Sequence, residues 1–379
     1  MISTTLKIGN ENDYKAIFLA YNDDNELIYN NEISLWKERE NHQMNITRRR
    51  NDVFIQPMAW NKPINIEIPY AMFMNYIKFL VKLKINVEVA NIVMTRSFSM
   101  NDNLLQSLIY GKNISEIKQM NFIYESTAAL HYYHMNSIKL YASSYDMIPN
   151  NSNILCINLH QSDIEFDVLH VTSFSPMKLE YQRYDDSIIS ETYFSIEKIQ
   201  QSVWEYVVNE IKINGYTLRH EETLKNYILK NIHNYLGTKI NYIIPNEIDS
   251  KNYIPDSITI EPNEIQKQIE NSYLQKLKSD IQKSTKGKSI KKVFLIGSFH
   301  KHQVITNILE NALSQCGINK KSITVIDEYE LSKGACCKAN DISMNLMDNK
   351  TNQFRTEDKR FDLDNQKITL CGNQMKSTK

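Results

Sequence analysis

Along the first third of the chain the apolar positions change period from two to nearly four, the mark of strands giving way to helices. Alternation predicts strands over 4–9 and 15–21, a third near 27–31 and another over 64–68. A helix is expected over 69–84, where Phe73, Tyr76, Ile77 and Leu80 recur at i, i+3, i+4 and i+7 and define a packing face. Strand 89–95, helix 100–110, strand 119–124 and helix 125–134 complete this stretch. Its order is three strands, then helix, strand, helix, strand, helix.

After the polar segment Ser143 to Ser152, which reads as a linker, the same order begins again. Strands over 153–159, 164–172 and 177–184 precede a long helix over 195–213. Helical segments over 220–236 and 262–283 follow, with strands near 239–244 and 257–261 between them. Strand 291–297, helix 302–315, strand 322–326 and helix 328–339 close the second copy. Two β-β-β-α-β-α-β-α plans predict a duplicated α/β architecture: lobe I over 1–142 and lobe II over 143–340, with an insertion at about 215–289. Facing sheets of this kind would hold a ligand in a central cleft. The polar tail, 341–379, reads as a loosely ordered extension with one short strand at 366–371 and no peptide-binding domain.

Composition narrows the classes. With 379 residues, 42% apolar and 23% charged, the chain fits a soluble globular protein of two to three domain-sized units. Lys+Arg and Asp+Glu are 44 each, so a general surface for DNA or another polyanion is not expected. The basic run Arg48-Arg49-Arg50 reads as a solvated loop. Five cysteines without a CxxC pair point to a reduced compartment, with Cys336 and Cys337 as small core residues. Met1 to Tyr14 lacks a signal-peptide pattern, and Asn75 and Lys78 interrupt the most apolar helical stretch. A cytoplasmic protein that does not enter a membrane is expected. Only nine glycines occur, none between Gly111 and Gly215, which excludes most phosphate-cradling loops.

Four segments carry a resemblance. Tyr124-Glu125-Ser126-Thr127-Ala128-Ala129-Leu130-His131-Tyr132 resembles an N-E-P-T-A-A-A-L-A-Y strand-to-helix crossing. Ser97-Phe98-Ser99 is similar to an N-F-S turn, and Phe294-Leu295-Ile296-Gly297-Ser298 to the V-L-V-G-G-S-T-R-I-P adenosine motif. Gly334-Ala335-Cys336-Cys337-Lys338-Ala339 is similar to a closing G-A-A-V-Q-A helix. Along the chain they fall in the family's order, over roughly residues 5 to 340, and resemble the nucleotide-binding domain of DnaK-type heat-shock chaperones. That family belongs to the actin-like ATPase superfamily, so the resemblance implies a ribonuclease H-like two-lobe fold.

The departures lie where the family's chemistry sits. Its D-L-G-T-T turn corresponds to Lys7-Ile8-Gly9-Asn10-Glu11, with Lys in place of the acid and an acid in the phosphate turn. Its D-L-G-G-G-T-F-D motif corresponds to Asn158-Leu159-His160-Gln161-Ser162-Asp163-Ile164-Glu165, without a glycine. Lys301 stands for the base-stacking Arg and Ser298 for the second adenosine-motif Gly; Lys230, His233 and Asn234 replace the polar clamp of the inserted subdomain. Glu125 corresponds to the family Glu beside the metal water, but one carboxylate cannot organise Mg²⁺. The vestigial nucleotide site implied by the resemblance is thus Gly9, Asn10, Glu125, Asn158, His160, Gly297, Ser298, Lys301 and Gly334. It would take ATP or ADP weakly or not at all, and no catalytic residue is assigned.

Other constellations read more plainly. Asp163, Glu165 and Asp167 alternate on a strand and are expected on a solvated face. His131 and His134 have chelating i, i+3 spacing without a supporting acid or thiol, and His300 and His302 flank Lys301, where a base would lie, or cap the following helix. The 22 tyrosines read as core and surface filling. The resemblance implies a degenerate DnaK-type regulatory or structural co-chaperone, similar to the atypical Ssz-type ribosome-associated chaperones, with a J-domain protein and the ribosome as partners. The alternatives are an active ATPase rebuilt on Glu125, Asn158 and Asp163, and a purely structural subunit of a large assembly.

Overall fold

The computed structural model describes residues 2–8, 14–21, 27–34, 44–49, 52–57, 64–65, 67–86, 88–89, 91–100, 102–139, 147–160, 162–175, 178–213, 221–230, 240–243, 257–297 and 303–347. It is a mixed α/β chain that divides into two compact units. One comprises 1–151, 171–183 and 327–379; the other comprises 152–170 and 184–326.

In the first unit, β1 (Ile2–Ile8), β2 (Tyr14–Tyr21) and β3 (Leu27–Ser34) form an antiparallel meander. β4 (Met44–Arg49), β5 (Asp52–Pro57) and β6 (Ile64–Asn65) form a separate three-stranded sheet. Arg48 and Arg49 therefore belong to a strand, not to the solvated loop expected from their charge. β4 and β5 pair from Met44↔Pro57 to Arg49↔Asp52, so residues 50–51 alone connect them, a typical hairpin length. The strand expected over 64–68 stops at Asn65, and helix α1 (Glu67–Ile85) begins almost at once.

β7 (Asn91–Arg96), α2 (Asp102–Ile114), β8 (Gln119–Tyr124) and α3 (Glu125–Lys139) follow. β7 runs parallel to both β1 and β8, as a helical crossover requires. The sheet order is β3-β2-β1-β7-β8. α1 packs on α2, and its Phe73, Ile77 and Val81 are buried, but Tyr76, expected on the same face, is 47% exposed.

β9 (Ser152–Leu159), β10 (Ile164–Ser175), β11 (Lys178–Arg183) and β12 (Ile189–Glu191) open the second half of the chain. Then come α4 (Ile196–Ile213), α5 (Glu221–Lys230), a two-stranded antiparallel sheet of β13 (Ile240–Ile243) and β14 (Ser257–Ile260), and α6 (Pro262–Ser284). α6 starts on proline, whose fixed φ and missing N–H suit a first helical position. β15 (Ile290–Ile296), α7 (Gln303–Gln315), β16 (Ile323–Ile326) and α8 (Glu328–Met347) complete the chain. The main sheet runs β11-β10-β9-β15-β16, with β9, β15 and β16 parallel. Third, second, first, fourth, fifth is the strand order in both main sheets.

The core of the second unit follows from amphipathic spacing. Ile199, Val203, Val207 and Ile211 on α4 meet Ile265, Ile269, Leu277 and Ile281 on α6 and Ile305, Ile308 and Leu309 on α7, against Leu155, Ile157, Val293 and Leu295 of the sheet. Burying each such side chain contributes about 1.5–3 kcal/mol. Among the described residues no helix is long and apolar enough to cross a membrane. The strand expected at 366–371 lies outside the described residues.

α8 is grouped with the first unit, whereas the sequence reading ran the second lobe to 340. It packs along α3 so tightly that a Cβ built on Gly334 would stand 1.8 Å from the carbonyl oxygen of Ala128. Only glycine permits this backbone approach. Gly334→Ala should therefore lower unfolding free energy by about 1–3 kcal/mol through overpacking, measured by urea denaturation. Gly287→Ala, where no atom lies within 4 Å but φ is +71°, is the comparison that separates clash from backbone strain.

Candidate functional site

Strand ends decide where chemistry can gather: in α/β sheets, side chains at the carboxyl ends of parallel strands face the loops that bind ligands. In the first unit the register pairs Arg96 with Tyr124, the last residues of β7 and β8. Glu125 opens α3, where the helix dipole favours a carboxylate, and it is buried. Arg183, at the end of β11, donates to Ser126 Oγ at 3.2 Å and to Thr127 Oγ1 at 3.1 Å. Its guanidinium lies 4.2 Å from the Tyr124 ring centroid and 5.0 Å from that of Phe98, and the two rings stack at 4.0 Å. Arg96, only 3% exposed, donates to the Tyr124 hydroxyl and sits 4.1 Å from the same ring.

This cluster is already bonded within itself. Guanidinium stacking on aromatics works best when both are desolvated, and Arg183 also donates to two hydroxyls, so the arrangement locks β7, β8, β11 and the head of α3 together. Sequence reasoning kept Glu125 but missed Arg96 and Arg183. Arg183 is 56 and 57 residues from its hydroxyl partners, and no local spacing announces such a contact.

In the second unit Asn158 and Ile296 are register partners, which places Asn158, His160 and Gly297 at one sheet edge, the carboxyl ends of β9 and β15. Gly297 has φ +110°, a conformation that disfavours any side chain, and its N–H donates to Ile326 O at 2.9 Å. His160 N–H donates to Asp163 O at 2.9 Å, and His160 O accepts from Ile196 N at 3.1 Å, tying the turn to α4.

The acidic residues of β10 overturn the expectation of a solvated face. Asp163, Glu165 and Asp167 are 4%, 2% and 2% exposed. The sheet is buried on both faces: Val293 and Leu295 enter the apolar core, while Phe294 and Ile296, pointing the other way, are also fully buried. Asp163 and Glu165 each have a neighbouring side chain as partner. Ser190 Oγ donates to Asp163 Oδ2 at 2.8 Å, and His160 Nε2 lies 3.2 Å from Glu165 Oε2.

An ATP or ADP phosphate arriving at this edge would meet carboxylates and a histidine where its binding needs convergent N–H groups, and the His160 N–H is committed within the turn. The described residues of this turn do not fit a Mg-nucleotide. Among the described residues no cluster of three or more His, Cys, Asp or Glu is arranged to hold a metal ion.

The remaining sequence candidates separate. Gly334 serves the α3–α8 crossing. Gly9, Asn10, Ser298 and Lys301 lie outside the described residues, as do His300 and His302, and His233 and Asn234. His131 and His134 face different partners: His131 Nε2 is 3.2 Å from Tyr181 Oη, and His134 Nε2 is 2.7 Å from Ser175 O. Cys336 is buried, and Cys337 Sγ lies 3.2 Å from Met135 Sδ. No family model matches the chain, and no curated protein matches it.

Burial holds the His131 imidazole well below its ordinary pKa of 6.5, with Lys338 and His134 acting in the same direction. Below pH 6.5 the unfolded chain takes up a proton that the folded chain refuses, so stability falls as pH falls, by up to about 1.4 kcal/mol per unit. His131→Gln should flatten the denaturation free energy between pH 6.5 and the onset of carboxylate titration. An unchanged slope would show that other groups set the acid sensitivity.

Proposed function

We propose that this chain is a degenerate actin-like domain of the DnaK type, working as a regulatory or structural co-chaperone subunit with little or no ATP hydrolysis. The observation that carries the reading is the identical strand order of the two main sheets, β3-β2-β1-β7-β8 and β11-β10-β9-β15-β16. Three local features support it at the motifs that suggested it. Glu125 begins the helix after β8, Gly297 follows β15 with positive φ, and Gly334 meets Ala128 backbone to backbone.

Loss of turnover follows from the β9–β10 turn. Phosphoryl transfer depends on positioning and on neutralising charge at the transferred group. His160, Asp163 and Glu165 give that turn a buried carboxylate pair held by neighbouring side chains, which repels a phosphate and leaves little to orient it. The partners in this reading are a J-domain protein and the ribosome, in the cytoplasm.

Phosphate release and thermal unfolding in millimolar Mg-ATP and Mg-ADP test it together. Release should stay at the blank rate and be the same for Glu125→Gln; a midpoint rise with nucleotide would mark a retained regulatory site, because a ligand specific to the folded state stabilises it. Turnover that falls on Glu125→Gln would instead establish a rebuilt ATPase. Absence of J-domain and ribosomal proteins from a pull-down at physiological salt would remove the co-chaperone assignment.

A further inference from the structure

α1 is apolar on two sides. Tyr70, Phe73, Met74, Ile77 and Val81 are buried, yet Ile68, Met72, Tyr76, Phe79 and Leu83 are 45–65% exposed. Tyr110 and Ile114 on α2, which packs against α1, are 40% and 55% exposed. Together these are seven of the nine large hydrophobic side chains exposed among the described residues, concentrated on one helix pair. A helix that is hydrophobic all round is normally covered on all sides, and a contiguous patch of this kind marks an interaction surface.

The spacing of the stripe identifies what fits it. Within the stripe, Ile68 and Leu83, and Met72 and Phe79, are symmetric about the point midway between residues 75 and 76, which sets Tyr76 opposite Asn75 of a second copy. Laid antiparallel on a copy of itself, the helix places each member of a pair opposite the other, which is the self-complementarity of a two-fold interface. Antiparallel alignment also opposes the two helix dipoles favourably. The area is adequate: seven side chains at these exposures would withdraw on the order of 700 Å² per copy, close to the roughly 800 Å² per partner of a standard interface.

We propose that the protein forms a two-fold homodimer through antiparallel contact of α1 with α1 of a second copy, with α2 at the rim. Residue 72 of one copy then meets residue 79 of the other. This assignment is independent of the chaperone reading and does not involve nucleotide.

The test is sedimentation equilibrium of the full chain and of Met72→Glu, Phe79→Lys and the double variant, with far-ultraviolet circular dichroism as the folding check. The wild type should run at twice 44.4 kDa and each single variant at 44.4 kDa. The double variant should recover dimer, because the carboxylate introduced at position 72 of one copy then faces the ammonium introduced at position 79 of the other, and lose it again in high salt. Asn75→Cys, beside the axis and outside the apolar stripe, should couple to its twin with a short bismaleimide where the wild type does not. A monomeric wild type at micromolar concentration, which would leave the patch to another protein or to another part of this chain, overturns the proposal. So does a dimer untouched by either single substitution, and so does a folded double variant that stays monomeric.

Discussion

Everything in the first unit depends on how closely α8 can approach α3. That unit is assembled from three separate stretches of chain, so the last helix must return and fit against one formed about two hundred residues earlier. Gly334 against the Ala128 carbonyl sets the distance, with 1.8 Å of room where a Cβ would need more than 3 Å. The contacts to either side exist because of that approach. Tyr132 Oη donates to Glu330 Oε1 at 2.6 Å, and Cys337 meets Met135. His131, on the same helix as Ala128, lies against Tyr181, and its burial holds the imidazole well below its ordinary pKa.

The two units treat buried charge differently, and the difference bears on chemistry. In the first, the buried Arg96 and the half-buried Arg183 stack on Tyr124, Arg183 also on Phe98, and both bond hydroxyls, an arrangement that tolerates desolvation because arginine is weakly hydrated. In the second, carboxylates are buried on a strand, where desolvation is severe unless each is partnered. Ser190 Oγ donates to Asp163 and the His160 ring lies against Glu165, while the His160 N–H closes the turn between β9 and β10 on Asp163 O. A turn fixed by its own side chains is poorly suited to close around an incoming anion.

The succession of strands and helices along the chain was readable because change of hydrophobic period is a local signal, and most element bounds fall within a few residues of their expected places. Three things were hidden for separate reasons. The β4–β5 hairpin was masked by Arg48 and Arg49, whose charge suggested solvent although a strand with one polar face accepts such residues. Burial of Asp163, Glu165 and Asp167 could not be inferred from alternation, which tells which residues share a face but not whether that face is covered. The Arg183 contacts were out of reach because they join β11 to α3 through tertiary structure alone. Glu125 was legible as a position but not in its surroundings.

α1 carries the same lesson to the surface. Phe73 and Ile77 pack inward as their spacing requires, while Tyr76, expected beside them, turns outward into a second apolar stripe. One helix with two apolar faces satisfies its own unit with only one of them. On the proposed reading, the residues that hold helices and strands in place, Gly297, Gly334 and Ala128, retain their geometric roles, while the β9–β10 turn is closed against a phosphate. A fold maintained without that chemistry acts through what it presents outward, and the largest unsatisfied demand on the described surface is the outer face of α1.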